Sequence, residues 1–146
     1  MSHAVYEETM TYLEEEGYRP EAAQEDRIHF RAEGGIYLVD FDWDDPQFVR
    51  LIFPNFWSID DELERERVLK AADEANGKIK CAKVWTQNNR VCVSIELFLP
   101  DPSTFPEVIE RAMSAIRSSR QEFSSHARAS ARPPATLAAV HSSGPN

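Results

Sequence analysis

The sequence predicts an α+β domain with a five-stranded antiparallel sheet, in the element order α-β-β-β-α-β-β-α. Two pairs of alternating segments are each joined by a dipeptide typical of tight hairpins, Gly34-Gly35 and Asn88-Asn89. Three other segments repeat apolar residues at helical spacing. The chain has 146 residues, a common size for one domain. We expect a single domain over residues 1–126. Residues 127–146, which are rich in Ala, Ser and Pro, are expected to form a flexible tail.

The first helix is predicted over residues 3–16. Tyr6, Met10 and Leu13 lie on one stripe of this segment, and its glutamates lie mostly elsewhere. Gly17 suits the left-handed conformation that ends a helix, and Tyr18 follows where an apolar residue often completes the cap.

The first hairpin is predicted to turn at Gly34-Gly35. In one register, one face of the hairpin is almost wholly apolar and the other carries opposite charges. The expected cross-strand pairs are Glu33–Ile36, Ala32–Tyr37, Phe30–Val39, Ile28–Phe41, Asp26–Trp43, Arg27–Asp42 and His29–Asp40.

The third strand is predicted over residues 47–57, after a turn at Asp44-Asp45-Pro46. Both of its faces are largely apolar, since Val49 and Leu51 alternate with Phe48 and Ile52. Such a strand needs cover on both sides, from a helix, a second subunit or a bound peptide.

The middle helix is predicted to begin at Ser58, whose hydroxyl can cap the first turn, and to end at Asn76-Gly77. Asp60 and Asp61 then lie near the positive end of the helix dipole. Leu63 falls outside the apolar stripe of this helix.

The second hairpin is predicted from strands Ile79–Thr86 and Arg90–Leu99, with Gln87 opposite Arg90. Cys81 and Cys92 then lie roughly 13 Å apart at the usual rise of a strand, too far for a disulfide. We therefore expect two free thiols.

The last helix is predicted to begin at Thr104, with Glu107 three residues later completing a capping box. Its apolar residues repeat at helical spacing, so it should pack on the sheet as a long terminal helix.

The net charge is −9, from 16 basic and 25 acidic residues. This sign disfavours direct binding to nucleic acid and to anionic membranes. The basic residues after position 101 are dispersed along a helix and the tail, so no continuous basic stripe is expected. No apolar run reaches the length of a membrane span, and the N-terminus does not resemble a signal peptide. We expect a cytoplasmic protein.

Catalytic and metal-binding signatures are not found in the sequence. Its four histidines lie on separate elements, and no GxGxxG, P-loop, GxSxG or HExxH motif occurs. Two cysteines cannot form a four-ligand zinc site. We therefore expect no catalytic residue, no metal and no cofactor.

The element order resembles the small secretion chaperones of type III systems, and within it the chain resembles the YbjN family of bacterial sensory transduction regulators. The resemblance covers residues 4–124 and depends on LEEEGY (13–18), YLVDFDW (37–43), the helix end at Asn76 and KCAKVWTQNNRVCVSIELFLP (80–100). It implies a chaperone-like domain that is homodimeric, cytoplasmic and non-enzymatic, and that engages another protein in stress or regulatory responses.

The aromatic and aliphatic side chains exceed what one layer of helices would bury, so the second face of the sheet is the predicted partner surface. A dimer would use this face or the start of the middle helix, and the client would carry a basic surface, as a nucleic-acid-binding protein does. The alternative is a small-ligand sensor with a pocket between sheet and helices. The predicted partner-binding residues are Ile36, Leu38, Phe48, Ile52, Phe56, Trp85 and Phe98, and the predicted dimer or rim residues are Asp60, Asp61 and Leu63.

Overall fold

A six-stranded antiparallel sheet in the order β1-β2-β3-β4-β6-β5 forms the centre of the computed structural model, which describes residues 4–131. The helices pack on one face of this sheet. The α+β class is confirmed, and the predicted number of five strands is wrong. The elements are α1 (Ala4–Glu15), β1 (Glu21–Gln24), β2 (Arg27–Ala32), β3 (Gly35–Phe41), β4 (Phe48–Ser58), α2 (Glu62–Lys78), β5 (Ala82–Gln87), β6 (Arg90–Phe98), a 3-10 helix (Pro102–Glu107) and α3 (Ile109–Ala131).

The additional strand, β1, is an exposed edge strand that pairs with β2, Glu21 lying opposite His29. All four of its residues are exposed. It therefore carries none of the apolar alternation by which a half-buried strand is recognised in sequence.

The β2–β3 hairpin turns at Glu33 and Gly34, one residue earlier than predicted. Both residues have positive φ, 55° and 78°, as a two-residue type I′ turn requires. Ala32 therefore lies opposite Gly35, and every predicted pair is displaced by two residues; Arg27, for example, pairs with Asp40. A shift of two leaves each side chain on its predicted face, which is why the two faces were correctly assigned.

The β5–β6 hairpin has the predicted register, with Gln87 opposite Arg90 and Trp85 opposite Cys92. Its first strand begins at Ala82, three residues later than expected. Cys81 has a φ of 65°, which turns the chain out of the extended conformation. Both cysteines are free thiols, as predicted.

The predicted end of the first helix is confirmed. Gly17 has a φ of 85°, and the Tyr18 N–H donates to the Leu13 carbonyl at 2.9 Å, the bond of a Schellman cap. The Tyr18 ring then packs against Phe30, with ring centroids 5.2 Å apart.

The predicted caps of the other two helices are wrong. Asp61, not Ser58, caps α2 by accepting from the Glu64 N–H at 2.7 Å. The prolines at 102 and 106 favour a 3-10 turn capped by Asp101, and α3 begins only after it, so no capping box forms at Thr104.

The core lies between the sheet and the helices, where residues such as Tyr37, Leu51 and Phe123 are fully buried. Helix α3 continues through the buried Ala127 to Ala131. Residues 127–131, expected in the tail, are therefore helical, and the rest of the predicted tail lies outside the described residues. Between residues 4 and 131, no helix is both long and apolar enough to span a membrane.

Candidate partner-binding surface

The face of the sheet opposite the helices, here called the open face, carries six of the seven predicted partner-binding residues. The strand registers align them in rows: Leu38 lies opposite Ile52, and Phe48 lies opposite Phe98. The open face consists of Arg27, His29 and Arg31 from β2, Ile36, Leu38 and Asp40 from β3, Phe48, Arg50 and Ile52 from β4, Lys83 and Trp85 from β5, and Cys92, Ser94, Glu96 and Phe98 from β6.

Two apolar areas of the open face are exposed to solvent. Phe98 is 75% exposed, and its ring centroid lies 5.8 Å from that of Phe48. Ile36, on β3, is 37% exposed. Ile52 lies between these areas and is already buried by its neighbours, so it contributes to the floor of the surface more than to its contact area.

A row of ion pairs crosses the open face between the apolar areas. Asp40, only 9% exposed, accepts from Arg27 Nε at 2.5 Å and from Arg50 Nη2 at 3.0 Å. Arg50 also lies 3.8 Å from Glu96, which pairs with Lys83. The hydrogen bond that Arg27 donates to Asp40 raises the pKa of Arg27. The row therefore places fixed charges of both signs between the two exposed apolar areas of the open face.

Trp85 is held in place on the open face by its polar atom. Its Nε1 donates to Ser94 Oγ at 3.0 Å, and the Lys83 ammonium lies 5.9 Å from its ring centroid. Its partner Ser94 is fully buried. A half-buried ring of fixed orientation is a suitable anchor for a partner.

Phe56 lies on the opposite side of the sheet from the predicted partner surface. The β4–β6 register shifts between Phe53 and Trp57, and Asn55 within this bulge has a φ of 55°. The bulge turns Phe56 toward the helices, where its ring packs edge-on against Phe123 with centroids 5.3 Å apart. Strict alternation along the strand could not predict this inserted irregularity.

The predicted rim residues lie at the far end of β4 from Phe48 and Phe98. Asp61 caps α2, and the Asp60 N–H donates to Glu64 Oε1 at 2.6 Å. Leu63, on the first turn of α2, is 65% exposed. These residues therefore form a surface separate from Phe48 and Phe98.

A cluster that the sequence analysis missed joins α3 to the β2–β3 turn. Glu33 accepts from Arg117 at 3.0 Å and from Tyr37 at 2.8 Å, and Arg120 lies 3.5 Å from the same carboxylate. The hydrogen bond that Arg117 donates to Glu33 raises the pKa of Arg117. Burial, and then the hydrogen bond that Tyr37 donates to Glu33, raise the pKa of Tyr37. The basic residues of α3 are thus partly gathered, not dispersed as expected. The sequence could have indicated this cluster only if the hairpin turn had been placed at Glu33 and Gly34.

An apolar groove lies between β6 and α3, beside the start of β5. It has a volume of about 570 Å³ and is open to solvent. This groove, here called the β6–α3 groove, is lined by Lys78, Ile79, Lys80 and Cys81 from the chain before β5, by Ile95, Leu97 and Leu99, and by Val108, Arg111, Ala112, Ser114, Ala115 and Ser118.

The histidines of the described chain are dispersed, as the sequence indicated. His29 lies 3.5 Å from Glu21 on the edge strand and not opposite Asp40. His126 lies 3.1 Å from Glu122 on α3. Across residues 4–131, no group of three or more His, Cys, Asp or Glu side chains is arranged to hold a metal ion.

No family model matches the chain, and no curated protein matches it either. Among solved structures, the chain is similar to YbjN of E. coli, described as a candidate transcription regulator, with a TM-score of 0.61 and 10% sequence identity. The match covers 84% of this chain and 92% of that one. The chain therefore has the fold of YbjN.

Proposed function

We propose that the chain is a non-enzymatic protein-binding module that acts as a homodimer and holds a second protein against the open face. One observation carries the proposal: the helices cover one face of the sheet, and large apolar side chains are exposed on the other, Phe98 at 75%. The similarity to a candidate regulator is consistent with a regulatory binding role.

The size of the effect can be judged from Phe98. An aromatic side chain buries about 150–250 Å² when covered completely. At about 25 cal/mol per Å², covering the exposed three-quarters of this ring contributes about 3 kcal/mol to association. One such anchor beside a fixed ion-pair row matches the usual anatomy of an interface, with an apolar centre and specific polar contacts.

The start of α2 is the proposed rim or dimer contact. Leu63 is largely exposed beside Asp60 and Asp61, in a chain of net charge −9. A client with a basic surface, for instance a nucleic-acid-binding protein, would associate faster with such a module at low salt. The same field opposes direct binding of DNA or RNA. A chaperone-like role and a role in stress regulation would use this surface with different clients.

The small-ligand alternative is less favoured by the geometry. A sensor requires an enclosed apolar cavity with a few converging polar groups. The β6–α3 groove lies between sheet and helix as that alternative expected, but it is partly open to solvent and not enclosed. An open apolar groove suits a segment of a protein better than an enclosed small molecule.

The proposal is tested by site-specific photocrosslinking in cells that express the full chain. A photoreactive side chain replaces Phe98 or Ile36 on the open face. Leu69, which is 52% exposed on α2, is the matched control. We expect the same client to crosslink from both open-face positions and not from position 69. Equal crosslinking from all three positions would overturn the proposed surface.

The dimer is tested separately by light scattering at micromolar concentration. The expected mass is about twice 16.7 kDa, and Leu63→Asp should reduce it if α2 forms the contact. A mass of one chain at all concentrations would contradict the homodimer and leave the partner surface to the crosslinking result.

A further inference from the structure

We propose that the β6–α3 groove binds an extended, acidic segment of the partner protein, which pairs with the free edge of β6 at Phe98. This proposal rests on the proposed function and adds the site, the conformation and the charge of the segment that is bound. Three features of the described chain support it: the strand register, the groove and the charges around it.

The register leaves the end of β6 without a neighbour on one side. Strand β5 pairs with β6 only as far as Ala82 opposite Ile95, and the φ of 65° at Cys81 turns the preceding chain away. Within residues 4–131, no strand therefore lies beside Phe98 on the side opposite β4. An unpaired strand edge of this kind is a template for an added strand.

The backbone of Phe98 points toward this free side. In a hairpin with a two-residue turn, the residues flanking the turn, here Gln87 and Arg90, are a hydrogen-bonded pair. Alternate residues along β6 from Arg90, including Phe98, thus direct their N–H and C=O groups away from β4. The next residue, Leu99, confirms this phase, since its N–H donates to the Gln47 carbonyl on the β4 side at 2.8 Å.

The groove provides the apolar contact for such a segment. Leu97, Leu99 and Val108 are each only partly buried and line it together with Ala112 and Ala115. Side chains of an extended segment alternate between the two faces of a sheet. One set would enter the groove, and the other set would lie on the open face beside Phe98. The edge, the groove and the open face therefore form one continuous surface.

The charges around the groove select an acidic segment. Lys78 is paired with Glu122 at 2.9 Å. Lys80 and Arg111 also line the groove, and neither has a carboxylate partner within ion-pairing distance in the described chain. This basic rim is local to a chain of net charge −9, so the bound segment carries Asp or Glu whatever the charge of the rest of the client. The chain's own residues 132–146 contain Arg132 and His141 and no acidic side chain, and so do not complement the rim.

The test is selection of a displayed library of random twelve-residue segments on the full chain. We expect the recovered segments to alternate aliphatic residues and to carry Asp or Glu. They should bind Arg111→Glu about two- to fivefold more weakly, and bind the control Lys70→Glu, an exposed residue on α2, unchanged. Recovery of basic segments, or of none, would overturn the proposal.

Two substitutions at one position separate the backbone from the side chain. Phe98→Ala removes the ring only, whereas Phe98→Pro also removes the N–H that faces the free edge and leaves the β4–β6 bonds in place. The recovered segments should bind Phe98→Pro about three- to tenfold more weakly than Phe98→Ala. Circular dichroism checks that both variants are folded, and if Phe98→Pro is not, the Arg111→Glu comparison decides. Equal binding by two folded variants would refute strand pairing.

The other occupants of the groove are outcomes of the same test. If deletion of residues 132–146 strengthens segment binding more than about threefold, the chain's own terminus competes for the groove, which overturns a partner segment as its occupant. If Phe98→Pro converts a dimer to a monomer, the occupant is a second copy. If crosslinking from position 36 finds no client while binding of the selected segments is still weakened by Arg111→Glu, the proposed function is refuted and segment binding at the groove is retained.

Discussion

Substitution of Gly35 by Ala tests the hairpin register that pairs Ala32 with Gly35. Gly35 is the first residue of β3 and lies directly under the ring of Phe53. A Cβ at position 35 would lie 2.3 Å from Phe53 Cζ and 2.8 Å from Cε2. Carbon atoms normally approach to about 3.5–4.0 Å, so the ring has to move by more than about 1 Å.

The ring of Phe53 has little freedom to move. It packs edge-on against Tyr37, with centroids 5.0 Å apart, and the Arg120 guanidinium lies 3.9 Å from its centroid on the helix side. Overpacking of a filled core costs about 1–3 kcal/mol. We therefore expect Gly35→Ala to lower the free energy of unfolding by about 2 kcal/mol.

The control is Gly34→Ala, because its Cβ would meet no atom within 4 Å but its φ is 78°. That backbone conformation alone costs about 1–2 kcal/mol, so the two single variants can have similar stability. The second substitution Phe53→Leu distinguishes them. It should recover about 1–2 kcal/mol of the loss in Gly35→Ala and none in Gly34→Ala.

The assay is urea unfolding followed by circular dichroism for the single and double variants. The coupling free energy between positions 35 and 53 is the measured quantity. A value below about 0.5 kcal/mol, the usual error of additivity, would refute the close contact.

Three further predictions concern other parts of the chain. Burial and a hydrogen bond to Glu110 raise the pKa of Tyr18 from 10.0 to about 12. The stabilisation that protonated Tyr18 gives the folded chain is therefore present below pH 10 and lost as the pH rises through 12. Tyr18→Phe should reduce the fall of the urea midpoint at alkaline pH. Asp61→Ala removes the cap of α2 and should cost about 1 kcal/mol in urea unfolding, whereas Asp60→Ala, which leaves the cap in place, should cost less than about 0.5 kcal/mol. Phe98→Ala should change the unfolding free energy by less than about 1 kcal/mol, because three-quarters of the residue is already exposed; a larger loss would show that the ring supports the fold.

The faces of the strands could be predicted from sequence, but the irregular positions could not. Alternation assigns a side chain to the correct face even when the predicted register is wrong by an even number of residues. Leu38 and Ile52 were therefore placed correctly although the predicted turn was displaced. It fails at the bulge near Asn55, where one inserted irregularity moves Phe56 to the core. Such a bulge depends on tertiary packing, and its sequence carries no distinct pattern.

Helix caps were unpredictable for a related reason. Ser58, Asp60 and Asp61 all have side chains that can cap a helix, and the choice depends on where β4 stops pairing with β6. Because β4 continues to Ser58, opposite Arg90, the helix starts later and Asp61 becomes the cap. The local sequence offers the candidates, and the length of the neighbouring strand decides among them.

The proposed binding surface depends on an exposed apolar second face of the sheet, which the composition could only suggest. The excess of aromatic residues over one helix layer predicted a second apolar face, and that face is present with Phe98 exposed. The net charge of −9 describes the field of the chain at a distance and not the charge at the rim of one groove. Within a Debye length of about 8–10 Å, the cations nearest the groove dominate. Lys80 and Arg111 line it without a carboxylate partner in the described chain. An acidic protein can therefore attract a basic client at long range and still bind an acidic segment of that client at this groove.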